Sequence, residues 1–564
     1  MSTQYPRPHV SGRSRVRTGC RTCKVRRVKC DEARPACLKC TSTGRKCEGY
    51  GVWGGPGCMQ PSFMVSSRLA LKPSISVAPV YSLSGHDQTC FSWFRYRTVG
   101  KLPGIFRGVF WDDLVLRACC EEPAVLHAAI ALGSVHKLGN KRCSMQINDS
   151  GFPDDSEKFT LHHYNMAIRH MQPCSLSNGK PSIRIMLITS MVFTCMEFLL
   201  GHYRTGEVHL EHGMRLLASL TTPRDSAIDV ETLHDAVDVE LFGIFETMNL
   251  NCFILVGGTL KTYGTWQDFD TYPLSAMFES MTQARKRLDW VLSDTIRLTQ
   301  HRHVMAMTDS SDAQLPEDWV SHQRRIQTQL ASWGSVFKVS RVSLIAQMGF
   351  CGHIAYLHLR LFHAMTSIMA ATCLDPRGEM AFDIHTNEFV AIIAQSEAFH
   401  RTIFATDFTN TRLEHDPNVA SFTADRGWIA PLYFTAIKCR VSHIRLQAIR
   451  LLRSTVSREG LWDAQVVANV AQEIVRLEES PLCTLAKRSD NLIPNLTDLS
   501  REREQPLVPE GRRINQVEVM LPNSASDRIK IRVYRLGERN EPHVFFREQD
   551  SDTGNWNDVD VEDV

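Results

Sequence analysis

Six cysteines within 28 residues constrain this 564-residue chain more than any other feature. Cys20, Cys23, Cys30, Cys37, Cys40 and Cys47 follow the spacing C-x2-C-x6-C-x6-C-x2-C-x6-C, so C-x2-C-x6-C occurs twice. A C-x2-C pair can clamp one tetrahedral zinc, and a third thiolate six residues on can return to it after a short helix. Six thiolates exceed the four sites of one zinc. Two tetrahedral zincs need eight bonds, so six thiolates suffice only when two of them bridge. The pattern predicts a two-metal thiolate cluster. Two separate four-ligand sites would need two more ligands, and no His lies between Cys20 and Cys47. A disulfide framework fits poorly. Met1 to Ser11 is polar, with no apolar signal segment, so a reducing compartment is expected.

The charge distribution sets the same segment apart. The whole chain has 64 Lys/Arg against 61 Asp/Glu, a formal net charge of +3. Residues 1–50 hold 13 of the basic and only three of the acidic side chains, Asp31, Glu32 and Glu48, a net of +10. The remaining residues carry −7. A short basic head is the electrostatic footprint of a nucleic-acid binder. By composition alone it reads equally as a solvated tail or an import signal; the cysteines favour the first.

Residues 18–49 resemble the fungal-type binuclear zinc cluster of fungal transcription factors. All six cysteines fit the family spacing, and Pro35 stands in the joining loop where the family has a proline. The resemblance implies two zinc ions bridged by Cys20 and Cys37. One ion would take Cys20, Cys23, Cys30 and Cys37. The other would take Cys20, Cys37, Cys40 and Cys47. A unit of this size is too small to fold on apolar burial, so metal binding must supply its folding energy.

Two short helices are expected, one after each C-x2-C. The first carries Lys24, Arg26, Arg27 and Lys29, and the second Thr41, Ser42 and Thr43. Only the first is densely basic, so it is the one expected in the major groove. The family reads CGG-like triplets with basic residues between its second and third cysteines, which places base contacts on Arg26 and Arg27. Better-known members have Lys at both positions; arginine's planar fork can bond guanine O6 and N7 together. Arg21, Lys24, Lys29 and Lys39 are placed as phosphate contacts, which position without specifying sequence. No aromatic residue lies between Cys20 and Cys47, which counts against single-stranded RNA stacking.

Residues 1–17 read as a disordered basic arm and 50–85 as a flexible linker rich in Gly, Pro and Ser. No a/d heptads run through that linker, so a homodimer would have to form elsewhere, and a monomer on one triplet stays open. From 86 to about 500 the pattern is helical, with Pro123 separating helices over 110–122 and 124–138. Further helices are expected near 157–171, 182–200, 206–220, 231–255, 276–306, 340–371, 385–404, 430–453 and 462–479. In 430–453, Phe434, Ile437, Val441, Ile444, Ala448 and Leu451 form one stripe, with Lys438, Arg440, Arg445 and Arg450 on the rest of the surface. The segment from 86 also resembles the large helical regulatory domain that follows the cluster in many fungal factors. That resemblance rests on Phe110 to Lys137 and implies a regulatory or ligand-responsive scaffold.

The period changes near the C-terminus. Val517, Val519 and Leu521 alternate with Glu518 and Met520, while Ile529, Ile531 and Val533 alternate with Lys530 and Arg532, and the two runs predict a β-hairpin within 510–547. Residues 548–564 hold seven acidic and no basic side chains. They read as a disordered acidic tail, either an activation segment or a solvated end.

The expected fold class is mainly α: a small zinc-cluster DNA-binding module, a linker, a large all-α regulatory domain, a short C-terminal β-hairpin and an acidic tail. No apolar stretch is long enough to predict a membrane span. No P-loop, dinucleotide fingerprint, H-E-x-x-H or G-x-S-x-G motif is present, so no enzyme is expected. The adjacent pairs His162–His163 and Cys119–Cys120 cannot share a ligand on a helix and read as structural. The expected function is nuclear, sequence-specific regulation of RNA polymerase II genes. The expected partners are double-stranded DNA with CGG-type sites and the transcription machinery or co-regulators. The alternative is a ligand-sensing or co-regulator scaffold whose zinc module contacts proteins.

Overall fold

The computed structural model describes residues 22–23, 26, 28–31, 33, 37–45, 47, 83–139, 155–175, 180–221, 236–256, 276–307, 315–405, 422–454, 457–479, 508–523, 527–536, 542–550 and 553–559. The expected basic arm, Cys20, Arg21, Lys24, Arg27 and the linker up to residue 82 lie outside the described residues. So does the end of the acidic stretch, 560–564. The chain is mainly helical, with short strands toward its C-terminus.

In the zinc module, α1 (Leu38–Thr41) starts directly after Cys37 and contains Cys40. It therefore overlaps the second C-x2-C instead of following it. The helix does not run on through the next residues: Ser42 to Gly44 form a turn closed by Gly44 at φ 62°.

The helical body opens with α2 (Gly85–Trp93), whose Ser84 and Asp87 form a reciprocal capping box. After a π-helical turn come α3 (Val99–Lys101), a second π-helical turn over Phe110–Leu114 and α4 (Val115–Glu121). Pro123 then holds Glu122 extended and opens α5 (Pro123–Leu138) at its first turn, as the sequence predicts. Gly133 lets α2 pass close to α5: a Cβ there would run into the Cys90 carbonyl oxygen.

Next come α6 (Asp155–Ser175), α7 (Lys180–Leu200), α8 (Tyr203–Thr221) and α9 (Ala236–Val256). By length and composition, Pro181–Leu200 could cross a membrane, but 83% of that window is buried inside the fold. Leu187, Ile188, Met191, Val192, Phe193 and Phe198 are fully enclosed there, so α7 is a core helix.

The expected helix over 340–371 is two helices. Gly349, at φ 56°, ends α11 (Glu317–Met348) before α12 (Gly352–Thr372) begins. Before them lies α10 (Met281–Met307) and after them α13 (Thr386–Ala405). Central burial holds for α12 but not for the end of α11, where Val339 and Val342 are 65% and 80% exposed.

The single helix expected over 430–453 is likewise two, α14 (Ile429–Lys438) and α15 (Ser442–Arg453). Cys439 and Val441 between them are extended. Nor do its basic residues all lie on the surface. Arg440 and Arg445 are fully buried, both paired to Glu478 of α16 (Ala464–Glu479), at 3.0 and 2.7 Å. Arg440 and Lys438 also meet Glu379, at 2.8 and 2.7 Å. The apolar stripe is real; the tertiary ion pairs that interrupt it are invisible to periodicity.

Strands also occur earlier than expected. β1 (Phe422–Thr423) pairs in parallel with β2 (Arg458–Glu459), which pairs antiparallel with β3 (Trp462–Asp463). From β2, the Glu459 carboxylate accepts the Gly427, Trp428 and Ile429 N–H groups at the start of α14.

The expected hairpin is present, with Val517 opposite Val533 and Val519 opposite Ile531 in β4 (Ile514–Met520) and β5 (Lys530–Leu536). It is half of a four-stranded meander completed by β6 (Pro542–Gln549) and β7 (Trp556–Val559). The acidic stretch from 548 to 559 is thus partly strand, not an unstructured tail. Arg547 pairs Asp558 across β6 and β7, which supplies one of its acidic residues with a fixed partner.

Candidate metal centre and nucleic-acid interface

The module gathers its sulfurs around Cys37. Cys23 Sγ lies 3.6 Å from Cys37 Sγ and 3.8 Å from Cys40 Sγ. Ligand atoms of Cys23, Cys37 and Cys40 form one cluster, and those of Cys30, Asp31 and Cys37 form another. Cys37 belongs to both, as a bridging thiolate must. Four thiolates about 2.3 Å from a tetrahedral zinc are about 3.8 Å apart, so these separations match the edges of such a site. The Cys37 N–H also points at Cys47 Sγ, 3.5 Å away. Cys23, Cys30, Cys37 and Cys40 are buried and Cys47 is half-buried. The residues present therefore fit zinc. The grouping of Cys23 with Cys40 differs from the family partition, which puts them on different ions.

Asp31, read in the sequence only as a charge, has a specific task. Its Oδ2 accepts the Leu38 N–H at 2.8 Å and its Oδ1 the Lys39 N–H at 2.9 Å. Those backbone donors, the Lys39 N–H foremost, hold its carboxyl below the usual range. The N-cap of α1 is Cys37, whose side chain makes no capping bond. Asp31, the first residue after the other repeat, supplies the cap instead. A capping bond across a loop is tertiary, so no local spacing announces it.

Arg26 is half-buried, and its guanidinium bonds within the module. Its Nη1 donates to Thr43 Oγ1 at 3.2 Å and to the Lys39 carbonyl at 3.4 Å. Lys29 and Lys39 are exposed. Thr22 and Cys23 begin a helical turn in which the Arg26 N–H reaches the Thr22 carbonyl at 3.1 Å.

The sequence-flagged pairs lie elsewhere. His163 is buried and bridges Asp87 and His127, at 3.2 and 2.9 Å, while His162 faces outward. Burial pushes the thiols of Cys119 and Cys120 up, as expected of small apolar fillers.

Residues 18–52 match the fungal Zn(2)-Cys(6) binuclear cluster domain. The chain thus carries this domain, and relatives it resembles are named as fungal-type zinc-cluster transcription regulators. It is similar to the aspercryptin biosynthesis cluster-specific transcription regulator atnN of Emericella nidulans, at 23% identity over 85% of this chain and 89% of that one. It also resembles the Zn(2)-C6 fungal-type transcription factor afumD of Aspergillus fumigatus, at 32% identity over 24% of this chain and 35% of that one. The transcriptional regulatory protein moc3 of Schizosaccharomyces pombe is 58% identical over 8% of this chain and 9% of its own length. No solved structure matches. The domain is zinc-binding, and its family regulates transcription.

Proposed function

We infer that the chain is a sequence-specific regulator of RNA polymerase II genes that reads CGG-like triplets through a module holding two zinc ions. The observation that carries this is the place of Cys37 in both ligand clusters, which suits a shared thiolate between two ions. Cys20 is its partner bridge in the proposal, and Cys23, Cys30, Cys40 and Cys47 complete the two sets. Zinc supplies tetrahedral cross-links and the protein supplies the reading surface.

The sequence places base contact on the pair Arg26 and Arg27; of the two, Arg27 is assigned as the side-chain base reader. The Arg26 guanidinium already has partners inside the module. Lys29 and Lys39, both exposed, join Arg21 and Lys24 as phosphate contacts. The protein acts in the nucleus, and its helical body meets co-regulators or the transcription machinery. Similarity to a named regulator along 85% of the chain supports a regulatory role for that body as well. A homodimer would have to use surfaces outside the linker.

Binding of the zinc-loaded full chain to a CGG duplex and to a scrambled duplex tests the assignment. Arg27→Ala is expected to relax discrimination by about 1–3 kcal/mol. Lys29→Ala is expected to weaken both duplexes alike and to lower the salt slope by about one. Equal loss on both duplexes for Arg27→Ala would remove it as a base reader.

A further inference from the structure

The Lys39 backbone is held at both its N–H and its C=O by side chains from the Cys23–Asp31 side of the module. Asp31, one residue after Cys30, takes its N–H. Arg26, three residues after Cys23, donates to its C=O. The Thr43 hydroxyl links into the same grip: it accepts from Arg26 and lies 2.9 Å from the Lys39 carbonyl. Both holding residues thus belong to the half of the module bearing Cys23 and Cys30. All the groups they hold belong to the half bearing Cys37, Cys40 and Cys47.

A chemical reason makes this arrangement necessary. A short helix leaves its first N–H groups without partners inside the helix. The residue that would normally cap them is Cys37, whose sulfur is committed to the metal cluster. A carboxylate brought in from outside satisfies two of those donors and adds a favourable charge at the helix start. Because that carboxylate sits beside Cys30, it also fixes the distance between the two ligand sets.

We propose that Asp31 and Arg26 are positioning residues that lock the second metal-binding repeat onto the first, so that both halves meet a duplex as one rigid reader. The proposal deepens the DNA-reading assignment and rests on it. Arg26 acts through the Lys39 carbonyl and the Thr43 hydroxyl, and base discrimination falls to Arg27.

The test uses the zinc-loaded full chain with Asp31→Ala, Asp31→Asn, Arg26→Ala and Arg26→Lys. Hydrogen exchange is followed in peptides covering 37–45, and zinc release to a chelator is followed in parallel. Asp31→Ala is expected to speed exchange there by about fivefold or more, with faster zinc release. Asp31→Asn, which keeps an acceptor oxygen, is expected to recover part of the protection. Arg26→Ala is expected to lower affinity for the CGG duplex while leaving the ranking of altered triplets unchanged. Arg26→Lys, which keeps one donor, is expected to recover part of the affinity. Unchanged exchange in Asp31→Ala, or a lost preference at one triplet position in Arg26→Ala, would overturn the proposal. If the wild type ignores every duplex, the DNA-reading assignment fails by itself. The exchange and zinc-release arms then still decide whether the lock exists.

Discussion

Cys23 Sγ and Cys37 Sγ sit 3.6 Å apart across fourteen residues of chain, one from each copy of the C-x2-C repeat. Free thiolates would repel at that distance. A zinc shared by the two, as proposed, would turn the contact into a cross-link on which a module with so little apolar core depends. Removing zinc with a chelator is therefore expected to unfold residues 20–47 and leave the helical body intact. Far-UV circular dichroism should lose little signal, while protease sensitivity near the N-terminus rises sharply. Cys37→Ala should behave as the chelated wild type does, because it removes a ligand common to both clusters.

Glu459 gives the helical body a pH dependence of known sign. Burial drives its carboxyl up from the usual 4.5 to about 7, against the pull of three N–H donors at the start of α14. The nearby Asp425 charge adds to the rise. A carboxyl raised in the folded state holds its proton more tightly there than when unfolded. Its contribution is complete below pH 4.5 and is lost as pH rises through about 7, on the order of 3 kcal/mol. The wild type is expected to gain thermal stability between pH 8 and pH 5 relative to Glu459→Gln. Parallel melting profiles for the two proteins would refute this.

Arg440 is expected to anchor the C-terminal sheet. Its guanidinium meets Glu478 at 3.0 Å, and the same Glu478 oxygen accepts the Ile514 N–H of β4 at 2.7 Å. Arg440→Ala leaves Glu478 buried with one counter-ion fewer, a change that costs about 3–5 kcal/mol in such settings. Hydrogen exchange in β4 and β5 should accelerate before exchange in α7 does. Unaltered protection in both strands would show that the sheet is held by other contacts.

Gly133 is expected to tolerate no side chain. A Cβ there would meet the Cys90 carbonyl oxygen, a backbone atom that cannot swing aside. Gly133→Ala should force α2 away from α5 and destabilise the body by about 1–3 kcal/mol, read from a denaturant midpoint. An unchanged midpoint would contradict the close approach of these helices.

Much of this is legible in the sequence where a local pattern reflects a local cause. The cysteine spacing locates the module, Pro123 divides two helices, and the alternation around Val519 and Ile531 marks paired strands. Charged residues in tertiary pairs are the main obstacle. Arg440 and Arg445 look like surface residues until Glu478 is known to face them. Asp31 and Arg26 likewise act across a loop, where no fixed spacing reports the partner. The part of α11 before residue 340 carries a readable signal that the expected spans omit: Ile326, Leu330, Trp333 and Phe337 recur at helical spacing and are all buried. β6 and β7 escape for a different reason. Phe545 and Phe546 are adjacent instead of alternating, and β7 lies in an acidic stretch of low β-propensity.

The most direct measurement is genome-wide occupancy of the wild-type protein beside the Cys37→Ala variant at equal abundance. Zinc-dependent targeting predicts wild-type peaks enriched in CGG triplets and their loss in the variant. The same peaks in both proteins would contradict it.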